Sequence, residues 1–288
     1  MKSIIIPESY NYIAVFLTFS CNLRCSFCIN DFGSVARTTK RRLLSGKEWV
    51  EGLNRIVSRP DLPITLQGGE PTLHKDFVYI INNIKPELNI DVLTNLRDEK
   101  IFIGNIDPRR LKRDAPYASI RVSYHPEQMS LNELIRKVLK MQNNGFSVGI
   151  WGIMHPKQEI EILKAEKYCK SLGIDFRTKE FLGTHKGKIY GQYRYPGAIS
   201  KRDKKSVFCK TTELIIGPNG DIYRCTADVY EKRKSIGHIL DPDFQIEDKF
   251  RLCEWFGHCN PCDIKVKTNR FQQFGHSSVE IKFQDQEV

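Results

Sequence analysis

Between residues 12 and 182, six short apolar runs alternate with amphipathic stretches, which predicts consecutive β-α units around a parallel sheet. The runs are Tyr12 to Phe19, Pro63 to Gln67, Asn89 to Thr94, Ala118 to Tyr124, Ser147 to Met154 and Asp175 to Phe181. Ser45 with Glu48 and Ser130 with Glu133 have the S-x-x-E spacing of a capping box, so helices are predicted to start there. Gly145 and Gly173 stand where helices should end, each shortly before a strand. Six units are too few to close an eight-stranded barrel. In such sheets the loops at the C-terminal ends of the strands carry the chemistry. That rule gathers the cysteines after the first run, Gly68-Gly69-Glu70-Pro71 after the second, Thr94-Asn95 after the third and Tyr124-His125 after the fourth.

After residue 182 the composition shifts to Gly, Lys and Tyr, and Gly183 to Pro196 reads as a linker or substrate-side loop before a second cysteine-rich segment. The expected division is therefore a barrel over 1–190 and a smaller unit over 191–288. At 288 residues and 40% hydrophobic, the chain can bury a substantial core. It has no run of 18 apolar residues, and its N-terminus lacks a signal-peptide pattern, so no membrane is expected and a cytoplasmic location is. Nine cysteines in a reducing compartment point to metal rather than disulfides. The net charge of +11 permits an anionic partner. Basic runs at Arg37 to Arg42 and Lys201 to Lys205 read first as solvated loops; with no aromatic-interleaved motif beside them, nucleic acid ranks third among partners. There is no internal repeat and no low-complexity tract.

Cys21, Cys25 and Cys28 are spaced C-x3-C-x2-C directly after the first apolar run. Three thiolates this close can hold three irons of a [4Fe-4S] cube and leave the fourth open. A zinc site is the alternative, but it usually uses two C-x2-C pairs or a Cys/His mix, and no second pair lies nearby. The stretch Cys21-Asn22-Leu23-Arg24-Cys25-Ser26-Phe27-Cys28 closely resembles the signature of the radical S-adenosylmethionine (radical SAM) enzymes. The resemblance implies an open (β/α)6 partial barrel, a catalytic cube whose open iron chelates SAM, and a 5'-deoxyadenosyl radical that abstracts a substrate hydrogen atom. It also implies a flavodoxin- or ferredoxin-type reductant.

Gly68-Gly69-Glu70-Pro71 resembles the family's second motif, which contacts the amino group of SAM. Two glycines let backbone approach a ligand, and Glu70 could accept hydrogen bonds from an ammonium. By position, Phe27 would present its backbone to the adenine, and Asn95 and Ser123 would meet the ribose or carboxylate. Strand-end capping is the competing reading of Asn95 and Ser123.

In the last third, Cys209, Gly220 and Cys225 form C-x10-G-x4-C across a hairpin with a Pro-Asn-Gly turn, followed by Cys253-x5-Cys259-x2-Cys262. This segment resembles the auxiliary-cluster domains called SPASM, or twitch in the truncated single-cluster form. Only five cysteines lie between Cys209 and Cys262, which favours the truncated form. Cys209, Cys225, Cys259 and Cys262 are the expected ligands of a second [4Fe-4S] cluster. Cys253 is left to replace Cys259, to sit in the core, or to donate a hydrogen atom to a substrate radical. Zinc is a competitor here too. Cys169 lies on a helix stripe with Ile162, Ala165 and Leu172 and reads as buried and apolar.

His125 and His155 end the fourth and fifth strands, where a proton acceptor would suit oxidation of a carbon radical; a hydrogen-bonded rim position is the other reading. Arg177, Lys179 and Glu180 could bind substrate or pair with one another. The expected function is oxidation of a small molecule, which the basic charge allows to be anionic, with the second cluster as electron acceptor. Epimerisation or thioether cross-linking of a ribosomal peptide is the alternative. Only about 11 residues precede the first strand, which leaves no room there for a leader-binding domain and leans the reading to the small molecule. A non-enzymatic iron-sulfur redox sensor or electron carrier is the rival of another class, opposed by the glycine-rich ligand cradle.

Overall fold

The structure is a computed structural model that describes residues 1–29, 42–267 and 275–283. All six predicted strands form: β1 (Tyr12–Thr18), β2 (Ile64–Gly68), β3 (Ile90–Thr94), β4 (Ile120–Tyr124), β5 (Val148–Met154) and β6 (Phe176–Glu180). They pair in parallel with their sequence neighbours, giving the curved open sheet of a partial barrel. Ile13, Val15, Leu17, Ile64, Leu66, Val92, Ile120, Val122 and Ile150 point outward into one core. That core is sealed by α1 (Gly46–Leu53), α2 (Phe77–Asn83), α3 (Leu131–Asn143) and α4 (Glu159–Ser171). Because strand side chains alternate, the intervening residues line the inner wall. No helix among the described residues is long and apolar enough to cross a membrane.

The crossover between β3 and β4 carries no α-helix. Two 3-10 turns replace it, capped by Asp98 and Asp107. Gly104 and Pro108 interrupt the stretch, yet Phe102, Ile106 and Leu111 still reach the core. Ser45 and Glu48 make the full capping box. At α3 only half of it forms: Ser130 accepts from the Glu133 amide, while the Glu133 side chain turns to Lys137. Gly145 and Gly173 adopt the left-handed conformation expected after a helix, with φ of 86° and 74°. On α4, Ile162, Ala165 and Cys169 are buried as expected; Leu172 is the cap and is exposed.

The second segment joins the first sheet. β7 (Lys205–Thr211) is followed by β8 (Glu213–Ile216), β9 (Asp221–Tyr223) and β10 (Gly237–His238). β8 pairs in parallel with β1, so the order is β10-β9-β8-β1-β2-β3-β4-β5-β6 and the sheet runs across the expected boundary at 190/191. β8 forms because Glu213–Ile216 is wholly buried, its carboxylate held by Lys267 at 3.2 Å and by Ser278. β7 lies in a separate three-stranded sheet between β11 (Arg251–Phe256) and β12 (Val279–Phe283), beside the short helices α5 (Thr226–Tyr230) and α6 (Pro261–Ile264). Of the two basic runs, Arg37 to Lys40 and Arg41 lie outside the described residues.

Candidate active site and a second thiol pocket

The first site grows from the rim of β1. Cys21, Cys25 and Cys28 are half-buried on the loop that leaves this strand. Gly69 and Glu70 donate backbone hydrogen bonds of 2.8 Å to the carbonyls of Thr18 and Ser20, pulling the glycine loop against the cysteine loop. Glycine is needed there. A Cβ on Gly68, whose φ is 142°, would lie 2.1 Å from Thr18 O, and one on Gly69 2.3 Å from Ser20 O.

Glu70 is held by hydrogen bonds from the chain itself. Its carboxylate is 1% exposed and accepts from Thr72 N, Thr72 Oγ1, Thr94 Oγ1 and Asn95 N at 2.7–3.1 Å. It caps the turn at Pro71 and clamps the glycine loop to the end of β3, leaving the backbone as the part open to a ligand. Burial raises its pKa against the pull of these donors.

Asn95 donates to Asn22 Oδ1 at 2.9 Å, while its own Oδ1 is buried without a partner. Sequence reasoning missed Glu127 and Gln128. Glu127 accepts from Ser26 N at 2.6 Å and Ser26 Oγ at 2.9 Å, and Gln128 accepts from Arg24 N at 3.2 Å. The only available signal was their position, just past His125 at the end of β4.

Phe27, His125 and His155 come together. The Phe27 ring stacks on His155, with centroids 4.7 Å apart and planes 15° from parallel, and lies 5.8 Å from His125. Phe181 and His185 complete the aromatic wall around His155. Desolvation pushes His125 down to about 4, and lowers His155 as well, so both imidazoles are neutral near pH 7. His125 Nδ1 is buried without a partner. Ser123 is half-buried on the inner wall, in register with Trp151.

Deeper in the barrel the inner wall is cationic. Arg121 is neutralised in part by Asp91 at 3.4 Å, which also binds Arg113 at 3.0 Å. Arg177 is tied to Asp175. Lys179 is exposed and has no hydrogen bond or ion pair among the described residues. Desolvation, with Arg121 and Lys265 nearby, pulls its ammonium down to about 7.

The second site is a pocket lined by Cys209, Cys225, Cys253 and Cys259, with Arg224, Arg233, Trp255, Asp263, Ile264 and Val279. This differs from the expected set: Cys253 takes the position assigned to Cys262. The reason is the pairing of β7 with β11, where Val207 opposes Cys253 and brings that thiol to Cys209. The Cys209 and Cys253 thiols hydrogen-bond, which holds Cys209 protonated and pushes Cys253 down, with Arg224 adding to the second effect. Cys262, on α6, is outside this lining and lies within electrostatic reach of Lys265, Asp263, Glu213 and Lys179. Cys262 is half-buried, whereas Cys253 is buried.

Two guanidiniums beside four thiols suit an anionic iron-sulfur cube, whose thiolates bring negative charge into a buried site. Asp228 anchors both, at 2.8 Å from Arg224 and 3.3 Å from Arg233. Asp263 fixes the start of α5 through Thr226 N and Ala227 N, 2.8 and 2.9 Å away. At the first site the fit is of another kind: three thiols, a glycine cradle that a Cβ would fill, and the orphaned Asn95 Oδ1 suit an open cube with a polar ligand.

Comparison with known proteins agrees. Residues 15–113 match the Radical SAM superfamily model. GTP 3',8-cyclase of Nautilia profundicola is 25% identical over 211 residues, covering 69% of this chain and 63% of that one. The enzyme of the same name from Aquifex aeolicus is 28% identical over 184 residues, covering 59% and 56%. The chain thus spans less than two thirds of the length of these curated relatives. Among solved structures, Streptococcus suis SuiB bound to S-adenosylmethionine superposes with a TM-score of 0.55 at 16% identity, covering 82% of this chain and 64% of that one. The anSMEcpe structure with bound AdoMet and Kp18Cys peptide gives 0.54 at 14%, covering 80% and 77%. These two are likenesses of fold. The cysteine loop and the glycine cradle both lie within residues 15–113, and this stretch of the chain is a domain of the Radical SAM superfamily.

Proposed function

We propose that the chain oxidises a small anionic substrate inside the barrel, using a catalytic [4Fe-4S] cluster at Cys21, Cys25 and Cys28 and a second cluster at Cys209, Cys225, Cys253 and Cys259. The catalytic cluster with SAM supplies the hydrogen-abstracting radical. The chain's own residues bind, orient and exclude water. Gly68 and Gly69 would offer backbone to the SAM methionine group, Asn95 Oδ1 would accept a hydrogen bond from it, and Phe27, His155 and Phe181 would supply an aromatic wall for the adenosyl group. His125 and His155, neutral at pH 7, are the groups able to take a proton as the substrate radical is oxidised.

The observation that carries the substrate class is Lys179, an exposed lysine on the inner wall with no partner among the described residues, beside Arg121 and Lys265. Exposed on that wall and without an ion-pair partner, Lys179 is available to an anion that enters the barrel. The relatives named GTP 3',8-cyclase also point to a small anionic molecule, a nucleotide being one such class.

The test is anaerobic turnover of the reconstituted protein with a reductant, SAM and, separately, GTP, other anionic metabolites and peptides. Anionic small molecules should stimulate 5'-deoxyadenosine formation, and Lys179→Met should raise the KM for the stimulating compound about tenfold. Stimulation by peptides alone would overturn the reading.

A further inference from the structure

The basic run at Lys201 to Lys205, read from sequence as a solvated loop, is half of a built surface. It faces a second segment across a pocket lined by Lys201, Lys204, Glu231, Lys232, Arg233, Lys234, Trp255 and His258. Five cations thus stand against one carboxylate on a single rim. Lys201 and Lys232, one from each segment, both hold left-handed backbone, with φ of 59° and 53°. Such a conformation is unfavourable for lysine, so the packing of the two loops, and not local preference, presents these side chains.

Trp255 and Arg233 belong to both this surface and the four-thiol pocket. Lys204 Nζ lies 3.8 Å from the centre of the Trp255 ring, and the Arg233 guanidinium 4.3 Å from it. The indole is therefore the wall between the basic rim and the buried thiols.

We propose that this rim is the docking site of an acidic one-electron carrier protein of the flavodoxin class, which exchanges an electron with the group held by the four thiols. The inference rests on the reading of that pocket as a cluster site. One electron passes per event: the carrier is reduced by one as the thiol-held group is oxidised by one, or the reverse, with no proton or bond change required of this chain. A small anion would call for donors converging on a point. Here Lys204 is spent on the indole face, and Arg233 on Asp228 and the His258 carbonyl, which leaves a broad, mainly positive rim with Glu231 as its one carboxylate. Rims of this kind steer and orient charged proteins.

The experiment uses the reconstituted full chain, with iron measured on the same sample, titrated with a flavodoxin by calorimetry at low and moderate salt. Binding should weaken steeply with salt, and about tenfold or more in a Lys201→Glu, Lys204→Glu, Lys232→Glu variant. A second variant, Lys232→Glu with Lys234→Glu, leaves the Trp255 contact intact and should lose affinity in the same direction. Carbodiimide cross-linking of the wild-type complex should map to Lys201, Lys204, Lys232 or Lys234. Unchanged affinity in both variants, or cross-links confined to other lysines, overturns the proposal. So does loss of inorganic triphosphate binding in the variants while flavodoxin binding is kept. Iron content separates the two readings: flavodoxin bound at these lysines on a chain with iron for one cluster only leaves the docking site standing and removes the second cluster.

Discussion

The first thiol site hangs on one loop, residues 20–28, whereas the second draws Cys209 from β7, Cys225 from the end of β9, Cys253 from β11 and Cys259 from the turn before α6. The loop thiols are half-buried, and their surroundings are hydrogen-bonding side chains borrowed from other strand ends: Asn95, Glu127 and Gln128. Three of the pocket thiols are buried outright, and their neighbours are two guanidiniums and apolar walls. A loop site of this kind leaves room for a ligand beside its metal. A closed pocket with compensating cations instead suits a group that gives or takes electrons without binding anything. The contrast teaches that openness, and not cysteine count, separates the two chemistries.

The most severe way to break this comparison is to remove the loop thiols. Cys21, Cys25 and Cys28 changed together to alanine should bring SAM cleavage to background. Iron should fall from about eight per chain to about four, because the pocket has its own ligands. Undiminished 5'-deoxyadenosine in that variant would refute the assignment of the loop. Retained zinc with no iron would refute the second cluster.

How far each site could be read from sequence follows from the same contrast. Cys21, Cys25 and Cys28 are local, so their spacing alone announced the site, and the six strands were legible because period-two apolar runs bounded by glycine and proline have one reading. The thiol lining of the second pocket depends on strand pairing, which spacing does not encode. Cys259 and Cys262 sit as close in sequence as a chelating pair, yet the β7–β11 ladder delivers Cys253, and Cys262, on α6, is outside the lining. Glu127, Arg224 and Arg233 were invisible for the same reason: each acts through a contact made by the fold. Glu70 was found, but its clamp to Thr94 and Asn95 leaves no trace in the motif itself.

That difference sharpens into a single pair of variants. Cys253→Ala should lose the iron of the second cluster, roughly half of the total, while Cys262→Ala should keep it. Cys262→Ala should retain SAM cleavage and alter only the substrate-dependent step, because its thiol lies within electrostatic reach of Lys179 and not among the other four. Circular dichroism must accompany the iron assay, since ligated metal can supply much of a small unit's folding free energy. The opposite result, with iron lost in Cys262→Ala and kept in Cys253→Ala, would restore the set expected from spacing.

The smallest effect distinguishes the sites by pH. Burial against Phe27 and the barrel wall pushes His125 down to about 4, from about 6.5 when unfolded. Between those values the unfolded chain binds the proton that the folded chain refuses, so stability rises with pH across this window and is lost as pH falls below about 6.5. At pH 5 the loss from this group is about 2 kcal/mol relative to pH 7. Urea unfolding of wild type and His125→Gln at the two pH values measures it, and the variant should show a shallower dependence by that amount. Because His125 packs on the cysteine loop, Cys253→Ala should keep the wild-type slope. Equal slopes in wild type and His125→Gln would show that the imidazole is hydrated and that the wall around Phe27 stands open.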